Sequence, residues 1–301
     1  MTIPISISAP GSTAQETRGW NSLLPRVVLL EALAQHPKIL VGSLVILPVI
    51  VLAMLAPILP LPGFLETDPS ISFQVPFGDH LFGTDKLGRD ILSRTLAGAR
   101  ISLLVGFSAA AIAVVLGVFI GTLAVFSRPL VDNAIMTGVD ILLSFPSLLL
   151  AIALVAMLGA GIGQVIAAIV IADLPRAIRL QRSLALGLKN RAFIDAARMV
   201  SAPIWWIMLR HVIPNTVAPM LVVASVYAAN AILVEASLSF LGLGIVPPQP
   251  SWGNIIREGQ RYLLDAWWIS TFPGLALLTV TVGLHLIADG VRASLDPSVR
   301  V

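Results

Sequence analysis

The side chains able to do chemistry are few and dispersed. His36, His80, His211 and His285 are the four histidines and Cys is absent, so neither a zinc-ligand spacing nor a thiol nucleophile is on offer. The sequence contains no H-E-x-x-H, no G-x-S-x-G and no G-x-x-x-x-G-K-[ST], the arrangements that would activate water, present a serine or cradle nucleotide phosphates. What remains is two carboxylates in apolar stretches, Asp140 and Glu235, and an island of charge at residues 190–215. A carboxylate in hydrocarbon is costly. Glu235 is therefore a candidate for lining a pathway or binding a substrate cation, with a structural hydrogen-bonding role as the alternative. Asp140 reads as a buried structural partner or an interfacial residue, and His285, with no identified acidic partner, as structural.

The elements that position these groups follow from composition. The chain of 301 residues is 57% hydrophobic and 12% charged, with mean hydropathy +0.93. A soluble surface needs about a quarter charged residues, so most of this surface faces something other than water. Disorder and disulfide scaffolds are excluded by the same figures. The net charge of +3 is not concentrated in any basic run dense enough to hold nucleic acid. An all-α, polytopic transmembrane helical bundle is expected.

Apolar windows long enough to cross about 30 Å of hydrocarbon, four of them free of charge, give six predicted spans, at 39–61, 103–126, 134–158, 164–182, 216–234 and 266–288. Residues 141–172 carry no charge, and one helix of that length would reach about 48 Å, so a break is expected at Gly159–Gly163. The fourth span carries Asp173, Pro175, Arg176 and Arg179. Trp267 and Trp268 stand where an interfacial anchor belongs, and Gly117 and Gly121 form a GxxxG suited to close helix approach. The organisation that follows is an N-terminal segment 1–38, a first transmembrane helix 39–61, an outer-face loop and amphipathic segment 62–102, a permease core 103–292 and a tail 293–301. With six spans and both termini cytoplasmic, thirteen of the nineteen Lys and Arg lie inside when Arg176, Arg179 and Arg182 in the inner half of the fourth span are counted with them, as the positive-inside rule requires. A five-span arrangement with the N-terminus outside gives thirteen again, so charge alone does not choose between them. Both place residues 183–215 in the cytoplasm.

In that island, Phe193, Ala196, Ala197 and Val200 share one helical face and Arg191, Asp195 and Arg198 another. Ser201-Ala202-Pro203 interrupts the helix, and a second stretch begins with Pro203 in its first turn, ending before Pro214. A short, exposed, Ala-rich helix flanked by charge suits docking into a groove of another protein; an interfacial helix lying on the membrane is the alternative. Pro247-Pro248-Gln249-Pro250 and Ser251-Trp252-Gly253 are too Pro-rich to stay helical and predict a rigid turn within an outer-face loop, 241–265.

Asp195-Ala196-Ala197 followed by Ser201 and Ile213-Pro214 resembles the cytoplasmic EAA loop of permease subunits in bacterial ABC importers, with Asp195 for Glu, Ser201 for Gly, His211 for Ile and Ile213 for Leu. Residues 83–106 (GTDKLGRDILSRTLAGARISLLVG) and 237–256 (SLSFLGLGIVPPQPSWGNII) resemble signatures of the C-type subunit of the dipeptide, oligopeptide and nickel importers. Asp140 with Phe145-Pro146, and Asp289-Gly290-Val291-Arg292 through Asp296-Pro297, fit the same subfamily, and the resemblance covers about residues 36–298.

The resemblance implies a transmembrane permease subunit in the bacterial inner membrane, paired with a homologous second permease. Two cytoplasmic ATPase subunits would hold ATP and Mg, an extracytoplasmic binding protein would deliver substrate, and this chain would carry no cofactor or metal and catalyse no reaction. Within a coupling loop 188–215 it implies ATPase-coupling roles for Arg191, Asp195, Ala196, Ala197, Ser201 and Pro214, with Ala197 against the ATPase and Asp195 in polar contact there. Ser201 in place of Gly puts a left-handed turn in question, and N-capping of the following helix is its alternative role. Pro247, Pro248 and Trp252 become candidates for a binding-protein contact or gate. Peptides are the expected substrate by family breadth, with nickel or another small solute as the alternative. A secondary transporter, the reading outside this family, would show inverted repeats or an embedded ion site, and neither is evident.

Overall fold

The computed structural model describes residues 37–295, and apart from one isolated bridge between Thr84 and Asp90 their regular structure is helical. All but the last two residues of the 1–38 segment, and Asp296-Pro297 with the rest of the tail beyond 295, lie outside the described residues. Helix α1 (Pro37–Leu55) carries the first predicted span but stops short of 61. Pro57, Pro60 and Pro62 lack the donors that would continue it. Helix α2 (Ile91–Phe126) has 36 residues, and its apolar two-thirds is the second predicted span. Its first turn is closed by Asp90, whose carboxylate accepts from the Ser93 N–H at 2.7 Å.

The third predicted span is not one helix. Helices α3 (Pro129–Leu143) and α4 (Ser147–Leu158) meet at 92°, because Pro146 withdraws a backbone donor and forces the preceding residue out of helical geometry. Gly159 and Gly161, at φ 88° and 152°, make the break before α5 (Ile162–Lys189), within the expected glycine cluster. Helix α5 contains the fourth predicted span. After α6 (Ala192–Met199), α7 (Ile204–Leu241) runs on with a single π-helical turn at Met208–Val212. It does not restart after Pro214. The Ile213 N–H reaches back five residues to Met208 O, so the backbone absorbs the proline without a break. Helix α8 (Trp252–Gly259) is short, and α9 (Trp268–Leu295) carries the last predicted span. Among the described residues four helices (α1, α2, α7 and α9) are long and apolar enough to cross a membrane, and a fifth span is added if the bent α3–α4 pair counts as one. Helix α5 has the length, about 42 Å, but Asp173, Arg176, Arg179 and Arg182 lower its hydropathy.

Helix α2 is the axis of the bundle, in contact with both α5 and α7. Gly117 and Gly121 face α5, where an added Cβ would lie 2.5 Å from the Ala177 Cβ and 2.7 Å from the Ile178 carbonyl oxygen. Gly106 does the same against Ile232 of α7, so this glycine stripe lets three backbones approach. A buried amide locks the arrangement: Gln181 of α5 donates to the hydroxyls of Thr122 in α2 and Thr216 in α7, at 2.8 and 2.9 Å. Trp268 is not an interfacial anchor. It is buried and its indole N–H donates to Thr84 O at 3.0 Å, which leaves Trp267 alone at the surface.

Candidate functional site

Helix α6 is an eight-residue helix held by its own inward face. Ile194 and Ala197 pack with Val125 of α2, Ala185 of α5 and Ile207 and Val212 of α7. The ends of three long helices thus converge on this one short one. Lys189 strengthens the junction by donating to Val125 O at 2.8 Å near the α2 C-terminus, where a cation is favoured by the helix dipole. Ala197, expected against a partner, is only 7% exposed and belongs to this internal contact. The free surface of α6 is Phe193, Ala196, Met199 and Val200, flanked by Arg191, Asp195 and Arg198. Asp195 accepts from Arg198 at 3.1 Å within that exposed rim.

Ser201 ends the helix in the left-handed region, at φ 58°. Its N–H donates to Arg198 O at 2.9 Å and the Ala202 N–H to Ala197 O at 3.1 Å, the paired bonds of a Schellman motif. Ser201 therefore takes the place of a glycine at some backbone strain. It does not N-cap α7, whose cap position is Pro203. Pro214 lies exposed on α7, beyond the π turn.

Asp140 is exposed rather than buried and pairs with Arg179 of α5. Asp132 accepts two bonds from Arg182, at 2.7 and 2.6 Å, and Arg176 bonds Asp173 at 2.8 Å and the Ser147 hydroxyl at 3.2 Å. A row of α5 arginines one turn apart thus holds the bent α3–α4 pair. Glu235 is fully buried. Its two oxygens accept from Ser102 of α2 and Ser239, both at 2.7 Å, while Ser102 also receives the Trp252 N–H at 3.4 Å and Ser239 the Ile245 N–H at 3.1 Å. Glu235 therefore ties α2 and α7 to the loop carrying Pro247 and Pro248, which are exposed. Trp252 is fully buried, its indole N–H donating to Thr95 O at 3.0 Å, so its side chain offers no surface to a partner.

The end of the molecule remote from α6 is built on charges whose role the sequence did not disclose. Asp85 accepts from the Leu87 and Arg89 N–H groups, from Arg89 Nε at 2.6 Å and from Arg94 at 2.7 Å. Both arginines continue to Glu258 of α8, at 2.7 and 2.8 Å. Gly88 turns this loop at φ 70°, where a Cβ would fall 1.8 Å from Asp68 O. Beside the network lies a cleft of about 280 Å³ whose rim includes Lys86, Arg257 and Arg261. The spacing of Asp85, Arg89 and Arg94 was visible, but Glu258, more than 160 positions away, carried no local signal. Among the described residues no three of His, Asp and Glu converge as a metal site would need.

The family described as binding-protein-dependent transport system inner membrane component matches residues 113–301. A putative peptide transport system permease protein of Brucella abortus is 41% identical over 277 residues, 92% of this chain and 93% of its own length. A dipeptide transport system permease protein of Alkalihalophilus pseudofirmus is 37% identical over 297 residues, 99% of this chain and 97% of its own. A glutathione transport system permease protein of Pectobacterium atrosepticum is 36% identical over 268 residues, 89% of each.

Proposed function

Because the chain belongs to the family of binding-protein-dependent transport system inner membrane components, we propose that it forms one half of the translocation path of an ATP-driven peptide importer. In this reading a second permease subunit completes the path. Two cytoplasmic ATPase subunits supply ATP and Mg, and an extracytoplasmic binding protein delivers the peptide. The names of relatives that align over nearly the whole chain support peptides as the cargo. Both termini and α6 lie on the cytoplasmic side of the inner membrane, the side that receives thirteen of the nineteen basic residues.

The observation that carries the mechanism is the convergence of α2, α5 and α7 on α6. A helix packed into three others cannot shift without taking them along, because close-packed interfaces move as units. An ATPase that grips Phe193, Met199 and Val200 and moves on binding ATP would swing the ends of α2, α5 and α7 between two arrangements. Asp195 and Arg198 rim that grip. At the opposite end, the cleft lined by Lys86, Arg257 and Arg261, with Glu258 already paired to Arg89 and Arg94, suits acidic side chains of the binding protein, and the Asp85–Arg94–Glu258 network holds its walls.

The test is uptake of a dipeptide by proteoliposomes holding the assembled complex. Val200→Asp is expected to abolish ATP-dependent uptake and ATPase co-purification while the chain still inserts. Uptake driven by an ion gradient without ATP would reject the reading.

A further inference from the structure

Arg100 stands where two clefts meet. One, of about 530 Å³, lies between α1 and α2 and is walled by Met54, Leu103, Leu104 and Phe107. The other, of about 200 Å³, is bounded by the turn that follows α1 and by Ser93 and Ala97 of α2. Arg100 is exposed and takes part in none of the ion pairs among the described residues. Ser93, 6% exposed, borders the smaller cleft. A cation free of ion pairs therefore stands at the junction of two clefts, with an apolar groove running away from it.

The depth of this junction is set by α1. Its 19 residues span about 28 Å, close to the hydrocarbon thickness, and Arg100 lines the clefts alongside Met54 and Ala56 at the end of that helix. It also precedes the charge-free run 103–126 by three residues. Along α2 it is about 38 Å from Val125, which packs on α6. Arg100 is thus at the headgroup level of the leaflet remote from α6.

We propose that this junction binds an anionic phospholipid. The guanidinium takes the phosphate, the polar headgroup fills the smaller cleft beside Gly63 and Ala97, and an acyl chain lies along Met54, Leu104 and Phe107. Guanidinium geometry matches phosphate oxygens, so one arginine at headgroup depth is a complete point of attachment for a phosphodiester. Because lipid tails gain nothing by moving from lipid onto an apolar groove, selectivity resides in the charge at Arg100.

The chain's lack of Cys allows a single fluorescent label at Leu104→Cys in the assembled complex. Quenching by brominated phosphatidylglycerol is compared with brominated phosphatidylcholine. The site predicts half-quenching at about fivefold lower mole fraction of the anionic lipid, a preference kept in Arg100→Lys and lost in Arg100→Gln. Equal quenching by the two lipids overturns the proposal. So does loss of the preference on adding millimolar glycerol phosphate, which would assign the site to a soluble phosphate. Absence of quenching, with the unlabelled Leu104→Cys thiol cross-linking to the second permease, would assign the groove to that chain and overturn it equally.

Discussion

One nitrogen of the Arg94 guanidinium bonds both Asp85 and Glu258, at 2.7 and 2.8 Å, although Asp85 and Glu258 belong to elements far apart in the chain. Arg94 and Asp85 are nearly inaccessible, while the Glu258 side chain is 31% exposed. Removing the buried cation leaves Asp85 with Arg89 as its one remaining cationic partner. Arg94→Met is expected to cost about 3 kcal/mol, seen as a lowered thermal-unfolding midpoint of the purified complex. Glu258→Gln, at the wetter end of the network, is expected to cost less than half as much.

The turn after α6 offers a gain. Ser201 holds φ 58°, a conformation about 1–2 kcal/mol unfavourable for a residue with a Cβ. Ser201→Gly removes that strain at some cost in chain entropy. It is expected to stabilise by about 1 kcal/mol, with slower hydrogen exchange at the Ser201 and Ala202 amides that close the motif. Ser201→Val, β-branched at the same φ, is expected to destabilise.

Glu235 tests whether an acid within the bundle serves structure or cargo. Its partners are Ser102 and Ser239, and its own side chain is fully buried. Glu235→Leu strands two buried hydroxyls and is expected to cost about 2 kcal/mol, while Glu235→Gln keeps an acceptor and costs little. Steady-state uptake separates the roles. Glu235→Gln is expected to leave KM for peptide unchanged, whereas a several-fold rise in KM with an unchanged unfolding midpoint would place Glu235 on the pathway.

The helices were legible where length decides the matter. Long charge-free windows locate α1, α2, α7 and α9, and Gly159–Gly163 marks a true break. The bend between α3 and α4 was hidden inside a continuous apolar run, although Phe145-Pro146 was a local signal for it. Helix α6 was legible as a helix but not in its orientation. On eight residues, Ile194 with Ala197 and Phe193 with Ala196 and Val200 form two apolar faces, and periodicity cannot tell which one the chain keeps for itself. The ion pairs from α5 to α3 needed the tertiary fold, because Asp132 and Arg182 are 50 positions apart.

That pair gives a quantitative check. Asp132 and Arg182 form two parallel bonds with side chains 19% and 28% exposed, between the surface and buried limits. A double-mutant cycle with Asp132→Asn and Arg182→Gln is expected to return a coupling energy of about 1 kcal/mol. The exposed Asp140–Arg179 pair is expected to return less.

The most direct test of α6 as the ATPase grip is site-specific cross-linking in the assembled complex, using the absence of native Cys in this chain. Single Cys residues replace Ala197, Met199 or Val200, and a short bifunctional reagent is added with and without ATP. Met199→Cys and Val200→Cys are expected to cross-link to an ATPase subunit with yields that change on ATP binding, while Ala197→Cys, buried against the chain's own helices, stays unreactive. Efficient cross-linking from position 197 with none from 199 or 200 would contradict the assigned face and the coupling built on it.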